Sequence, residues 1–223
     1  MFIRKRIIAV IAVLLSTLVG VQAQESPVLS KGSLPLVLES LVGNRGGFFE
    51  VVINKKFESV PKLGLFSVSN LVAEFDKKDF DDVMSQGYLT YNVVGGLDIM
   101  GGYFYTDVTG LRASAALSYT KANAEYTFNI NPRIDLQSNP IQETALFVEY
   151  KPVIDTNWKY YYRLQGLYGF TPDNGDHARS YIKLRAGVTY KEVDFGLASN
   201  FDWYGPDKDN YNNIGVFVSA RLY

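Results

Sequence analysis

The stretch SYIKLRAGVTYKEVDFGLASNFDW, Ser180 to Trp203, decides the fold. In its first half Ile182, Leu184, Ala186, Val188 and Tyr190 alternate with Lys183, Arg185, Gly187 and Thr189. A period of two sorts side chains onto two faces only on an extended strand. After Lys191 and Glu192 the alternation resumes, with Val193, Phe195, Leu197, Phe201 and Trp203 on one face and Asp194, Ala198, Asn200 and Asp202 on the other. Pairing Tyr190 with Val193 sets Val188 opposite Phe195 and Ala186 opposite Leu197. One register therefore places both apolar faces on the same side of a hairpin.

The same alternation extends upstream. Leu146, Val148 and Tyr150 alternate with Glu143, Ala145, Phe147 and Glu149, and Trp158, Tyr160, Tyr162 and Leu164 with Lys159, Tyr161, Arg163 and Gln165. Pairing Glu149 with Lys159 across the intervening connection sets opposite charges side by side on the polar face. Leu111, Ala113, Ala115, Leu117 and Tyr119 oppose Arg112, Ser114, Ala116 and Ser118, while Tyr126, Phe128 and Ile130 oppose Glu125, Thr127, Asn129 and Asn131. Leu89, Tyr91 and Val93 lead into Gly95 and Gly96, a pair suited to a tight hairpin, followed by Leu97, Ile99, Tyr103 and Tyr105. Phe48 to Lys55 and Leu63 to Phe75 are less regular but rich in Val, Phe and Leu. Ser33 to Val42 is a candidate first strand, although Pro35 confines it to a strand start or an edge.

The expected connections alternate in character. Those around Asn54 to Lys62, Val94 to Gly96, Thr120 to Asn123, Lys151 to Asn157 and Lys191 to Glu192 are mostly short. Those at Asp76 to Met84, Asp135 to Gln142, Thr171 to Arg179 and Gly205 to Tyr211 are longer and polar, with Thr106 to Thr109 a short exception. Short turns on one side and long loops on the other characterise a membrane barrel with its short side toward the periplasm. Counting back from the C-terminus gives eleven strands, and the candidate Ser33 to Val42 makes twelve. An even count returns both ends to one side, which favours twelve, with ten open if two segments lie outside the wall.

At the other end Arg4, Lys5 and Arg6 precede an apolar run from Ile7 to Val19 and then Val21, Gln22 and Ala23. That is the pattern of a cleaved signal peptide, residues 1–23, with cleavage after Ala23. Residues 24–223 suffice for one β domain. The chain has 22 Lys plus Arg against 23 Asp plus Glu, and without the three signal cations the remainder carries a net charge of −4. Nothing in that balance points to nucleic acid. The absence of cysteine fits an oxidising compartment and excludes both a lipoprotein anchor and a thiolate metal site. No cofactor is expected.

A soluble sandwich also alternates with period two. Here, however, the polar face carries Tyr88, Phe104, Phe147, Tyr161 and Phe217 among small residues and charges, a mixture suited to a crowded barrel interior. Aromatic residues also gather near strand ends on the apolar face: Tyr105, Tyr119, Tyr126, Tyr150, Trp158, Tyr190 and Trp203. Such rings form girdles where lipid meets water. The expected fold is all-β, a single antiparallel transmembrane barrel.

The last strand alternates Ile214, Val216, Val218, Ala220 and Leu222 with Gly215, Phe217, Ser219 and Arg221 and ends on Tyr223. It resembles the closing strand of small, porin-like outer-membrane barrel proteins of Gram-negative bacteria. The resemblance implies a place in the cell outer membrane among lipid and lipopolysaccharide, and insertion by the barrel-assembly machinery through a terminal signal that includes Phe217, Leu222 and Tyr223. Tyr223 departs from the usual pattern, since Leu222 and not the terminal aromatic shares the apolar face.

Three constellations bear on chemistry. His177, the only histidine, lies in the loop-like run Asp173 to His177, and the nearest downstream serine, Ser180, faces the opposite side of a regular strand. It therefore reads as a solvated loop residue, no catalytic residue is expected, and an outer-membrane lipid-modifying enzyme is the least favoured of the functional readings. The acidic groups Asp76, Asp79, Asp81 and Asp82, Asp173 and Asp176, and Asp207 and Asp209 lack the spacing of a calcium loop and read as solvated loop charge. The alternation turns Glu50, Asp98, Arg112, Glu125, Arg133, Asp135, Glu143, Glu149, Lys159, Arg163, Lys183, Arg185, Asp194, Asp202 and Arg221 inward. These residues line either a narrow channel for small polar solutes or a barrel that fills itself with ion pairs. On the second reading the protein is structural, contacting lipopolysaccharide or a partner through its Asp-rich outer loops.

Overall fold

A computed structural model describes residues 35–76 and 82–223; the expected signal peptide and residues Asp79 and Asp81 lie outside them. Twelve strands follow in chain order: β1 (Leu36–Gly43), β2 (Gly46–Phe57), β3 (Val60–Glu74), β4 (Asp82–Val94), β5 (Leu97–Thr106) and β6 (Gly110–Ala122), then β7 (Tyr126–Asp135), β8 (Gln142–Tyr150), β9 (Trp158–Phe170), β10 (His177–Tyr190), β11 (Val193–Tyr204) and β12 (Asp209–Leu222). Each pairs antiparallel with its chain neighbours, and β1 pairs with β12 to close the ring. Leu36 opposite Leu222 and Gly43 opposite Gly215 mark the ends of that seam. The candidate first strand is thus a wall strand, with Pro35 just before its start.

The deciding hairpin has the register that its alternation dictates: Tyr190 faces Val193, Val188 faces Phe195, and Ala186 faces Leu197. Gly95 and Gly96 form the β4–β5 turn with φ of 52° and 87°, backbone that a type I′ turn requires and that side chains resist.

Two expectations fail. Glu149 does not face Lys159; it faces Arg163, while Lys159 stands opposite Thr189 on β10. The connection after β8 is long enough to fold back on itself through a bridge between Val153 and Lys159. The strands therefore meet further along β9 than a tight turn allows. Nor are the loops as unequal as their composition suggests. β2 and β3 run on to leave only Glu58 and Ser59 between them, and β10 and β12 absorb residues from the expected loops Thr171 to Arg179 and Gly205 to Tyr211.

The outer wall is largely apolar, with a few small polar residues such as Ser69, Ser85 and Ser199. Leu89, Leu111, Leu117, Tyr160, Leu184, Leu197 and Val216 are exposed, while the polar residues that alternate with them turn inside. Exposed apolar surface continuous around a closed ring is unstable in water and stable in hydrocarbon. The closed ladder also leaves no unpaired strand edge in lipid. Tyr119, Tyr126, Tyr150, Trp158 and Tyr190 lie at the end of the barrel that holds the chain termini, and the Trp158 and Tyr190 rings sit 4.7 Å apart there. Trp203 lies at the far end, on the same side as Tyr105 and Tyr168. The two groups form girdles at the two ends of the wall.

Leu197, near the middle of β11 and 69% exposed, tests the lipid-facing surface. Leu197→Arg is expected to lower unfolding stability in lipid vesicles by about 2–4 kcal/mol. Urea titrations followed by tryptophan fluorescence measure it; a change near zero would mean that this face meets water.

Candidate functional site

Inside the wall the sequence places charges side by side that repel. Arg163 on β9 and Arg185 on β10 are in register, neighbours on the inner face. Glu39 on β1 resolves the conflict from across the lumen. Its Oε1 accepts from Arg185 Nε at 2.9 Å and Nη2 at 2.7 Å, and its Oε2 accepts from Arg163 Nη2 at 2.5 Å. All three residues are buried, Glu39 with 2% of its surface exposed. Arg185 Nη1 completes its donor set on Asn200 Oδ1 and the carbonyls of Leu184 and Ser199. The clamp spans strands three and four places apart in the ring, so it is a tie through the interior and not a ladder contact.

Other ties repeat the pattern. Lys183 on β10 approaches Glu50 on β2 at 3.7 Å and lies over the Phe48 ring. Arg179 Nη2 meets Asp82 Oδ2 at 2.9 Å and Asp202 Oδ1 at 3.1 Å, and the Tyr204 hydroxyl donates to Asp82 at 2.9 Å. β4 and β10 are six places apart in a ring of twelve, diametrically opposed, yet one ion pair joins them. A circular twelve-strand section is too wide for that, so the barrel is flattened at this level. Within the wall Arg133 binds Asp135 and Glu143, each at 2.7 Å, and stacks on Phe104 at 3.5 Å. Near the termini Asp194 accepts from Thr189 at 2.6 Å and from Arg221 at 2.5 Å.

Apolar side chains fill the space between the ties. Leu41, Phe48, Val72, Tyr161, Ala198, Tyr211 and Phe217 form one cluster, and Tyr88, Met100 and Ala116 a second. A cavity of about 40 Å³ lies among Asn70, Gln86, Phe104, Arg133, Arg179 and Tyr181. It has room for a few waters at roughly 10–15 Å³ each. Asn70 Oδ1 and Arg133 Nη2 have no protein partner and suit such waters. Toward the termini the inner wall is half-accessible along β4, β5, β7 and β8, at Asn92, Asp98, Thr127, Asn129 and Glu149, whereas Thr189 and Asp194 at the same end are buried.

Of the inward charges read from sequence, the fold joins Arg163 and Arg185 through Glu39, Lys183 to Glu50, Asp202 to Arg179, and Asp194 to Arg221. Glu149 pairs with Lys151 at 2.9 Å and not with Lys159. Phe217 packs against Tyr161 inside the barrel, whereas Leu222 ends β12 and Tyr223 follows it exposed. Alternation missed Glu39, Arg179 and Lys151. The first stands alone among apolar residues in a strand weakly marked by sequence, and the other two sit where strands begin or end.

Asp82 and His177 also depart from their reading as solvated loop residues. Asp82 is buried by its tie to Arg179. His177 is 7% exposed; its Nδ1 lies 2.6 Å from the Gly205 carbonyl and its Nε2 2.9 Å from Ser180 Oγ. A bulge beside it undoes the expectation that Ser180 faces away. Among the described residues no cluster of His, Cys, Asp and Glu is arranged to hold a metal ion.

No family model and no curated protein matches the chain. In fold it is similar to solved structures. The NanC porin is 13% identical over 85% of this chain and all of that one, with a TM-score of 0.48. LpxR from Salmonella typhimurium is 7% identical over 84% and 99% of the two chains, with a TM-score of 0.45. OprD from Pseudomonas aeruginosa is 14% identical over 86% and 63%, with a TM-score of 0.40. Likeness at these scores carries no inference about activity, which rests on the chain's own geometry. Its closed antiparallel ring, largely apolar outer wall and two aromatic girdles make the chain a transmembrane β-barrel of the outer-membrane type.

Glu39→Ala leaves two guanidiniums buried without their carboxylate and is expected to cost about 3–5 kcal/mol of unfolding stability. Adding Arg185→Met to Glu39→Ala recovers part of the loss if Glu39 acts mainly by neutralising the pair. Equilibrium unfolding of the wild type and the two variants in vesicles measures both effects.

Proposed function

We propose that the protein is a narrow, porin-like channel for small hydrophilic solutes, described here in a closed state whose constriction is the Glu39, Arg163 and Arg185 clamp. The observation that carries this reading is the chemistry of the closure. Strands that only had to fill a barrel would do so at least as stably with apolar side chains, because replacing a buried ion pair by well-packed hydrophobic residues is often neutral or stabilising. Charges tied across a lumen form a contact that water or a solute ion can replace, and ionisable residues at membrane depth mark solute paths. The half-accessible polar residues of β4, β5, β7 and β8 toward the termini form a vestibule on that side of the lumen. The ring of Arg163, Lys183 and Arg185 sets a preference for anions once the Glu39 tie is released.

The second reading is a permanently closed barrel that serves as a structural or interaction protein, contacting lipopolysaccharide or a partner through loop carboxylates. It is favoured by the apolar cluster of Leu41, Phe48, Tyr161 and Phe217 beside the clamp, since such packing does not yield to water.

Single-channel recording in planar bilayers separates the two. Wild type is expected to show rare openings, and Glu39→Gln to raise the open population roughly tenfold, the effect of losing about 1.4 kcal/mol from the closed state. Arg163→Glu is expected to shift selectivity toward cations. Silence of wild type and of Glu39→Gln across several salts and solutes would remove the channel and leave the closed barrel.

A further inference from the structure

His177 is set in place by an irregularity of β10. Arg179 pairs with Gly169 and His177 with Phe170, so Ala178 is the extra residue of a bulge. On a regular strand His177 would share the inner face with Arg179 and Tyr181; the bulge turns it to the outer face, where Ser180 also points. The Gly205 carbonyl can only accept, so Nδ1 carries the proton and donates to it at 2.6 Å. In the neutral ring Nε2 then keeps its lone pair, 2.9 Å from Ser180 Oγ, and can accept from that hydroxyl. A hydroxyl, a neutral imidazole that accepts its proton, and a third group that fixes the imidazole tautomer together form an activated nucleophile.

The surroundings suit an amphiphilic substrate. Ser180 stands between Tyr168 on β9 and Trp203 on β11, opposite both in register, on the outer wall at the far end from the chain termini. The Tyr168 ring packs 5.8 Å from that of His177. Tyr168 and Trp203 carry a phenol O–H and an indole N–H on the strands that flank Ser180. An acyl chain reaches the hydroxyl from the hydrocarbon side, and water from the polar boundary.

We propose that Ser180 and His177 form a nucleophile and base pair that hydrolyses acyl esters of amphiphiles lying in the membrane against this face. Ser180 Oγ bonds to the ester carbonyl carbon as its proton passes to His177 Nε2. The carbon–oxygen bond to the leaving alcohol then breaks, and the alcohol takes that proton, leaving an acyl-serine. Water attacks the acyl-serine with His177 again as base, which releases the carboxylic acid and restores the serine hydroxyl. The chemistry is independent of the lumen and holds whether or not the barrel conducts.

The test uses the full chain inserted in phosphatidylethanolamine vesicles and an alkyl fluorophosphonate, which bonds covalently to activated serines. Peptide mapping is expected to place the label on Ser180 and to find none in Ser180→Ala. In His177→Gln the labelling rate is expected to fall by roughly a hundredfold or more. Hydrolysis of a medium-chain p-nitrophenyl ester is expected to follow the same order. An unlabelled Ser180 in folded wild-type barrel overturns the proposal, however His177→Gln behaves. Equal labelling of wild type and a folded His177→Gln overturns it too, since it leaves the histidine a structural partner only.

Discussion

A carboxylate held between two guanidiniums governs the interior of this barrel. Arg163 and Arg185 are forced together by strand register, and once together within a membrane they require an anion. Glu39 supplies it from β1, the strand that closes the ring. The wall of the barrel and its interior thus depend on each other. Without the β1 seam there is no Glu39 in reach, and without Glu39 the two guanidiniums lose the carboxylate that bridges them.

The same constraint shapes the cross-section. Twelve strands in a circle enclose a space wider than paired side chains span. The tie from Arg179 to Asp82 joins opposite strands, and the tie from Lys183 to Glu50 joins strands four places apart, so the ring is drawn into a flattened section. Flattening brings Tyr161 on β9 against Phe217 on β12, which neighbours Leu41 in register, and leaves small spaces such as the cavity of about 40 Å³. Ion pairs are the part of this filling that can exchange partners with water and solute, whereas the apolar cluster resists it. On the channel reading proposed above, the balance between the two decides how readily the barrel opens.

Much of the wall was legible because the lipid and the lumen impose a strict period of two. Tyr190 and Val193 declared their register through matching apolar faces, and Arg163, Lys183, Arg185, Asp194 and Asp202 declared themselves inward by alternation alone. Three kinds of information were not in the pattern. Contacts across the lumen join residues far apart in both sequence and sheet, so nothing local marks Glu39 as the partner of Arg163. The length at which a connection folds back is set by backbone geometry, which is why Glu149 meets Arg163 and not Lys159. A bulge adds one residue and reverses every face beyond it, so parity misplaced His177 relative to Ser180. The loops were also overestimated, because polar residues at strand ends continue the ladder wherever a neighbouring strand offers hydrogen bonds.

The chain has no cysteine, so a single introduced thiol reports on the lumen without background. Ser219, on the inner face of β12 and 1% exposed, lies opposite Glu39 in register. The most direct measurement of the closed interior is the reaction of Ser219→Cys with a charged, membrane-impermeant methanethiosulfonate reagent, with and without Glu39→Gln. Slow reaction is expected with Glu39 in place, and markedly faster reaction once the clamp is released. Fast reaction in the presence of Glu39 would contradict a closed interior, for the lumen would then be open to water past the clamp.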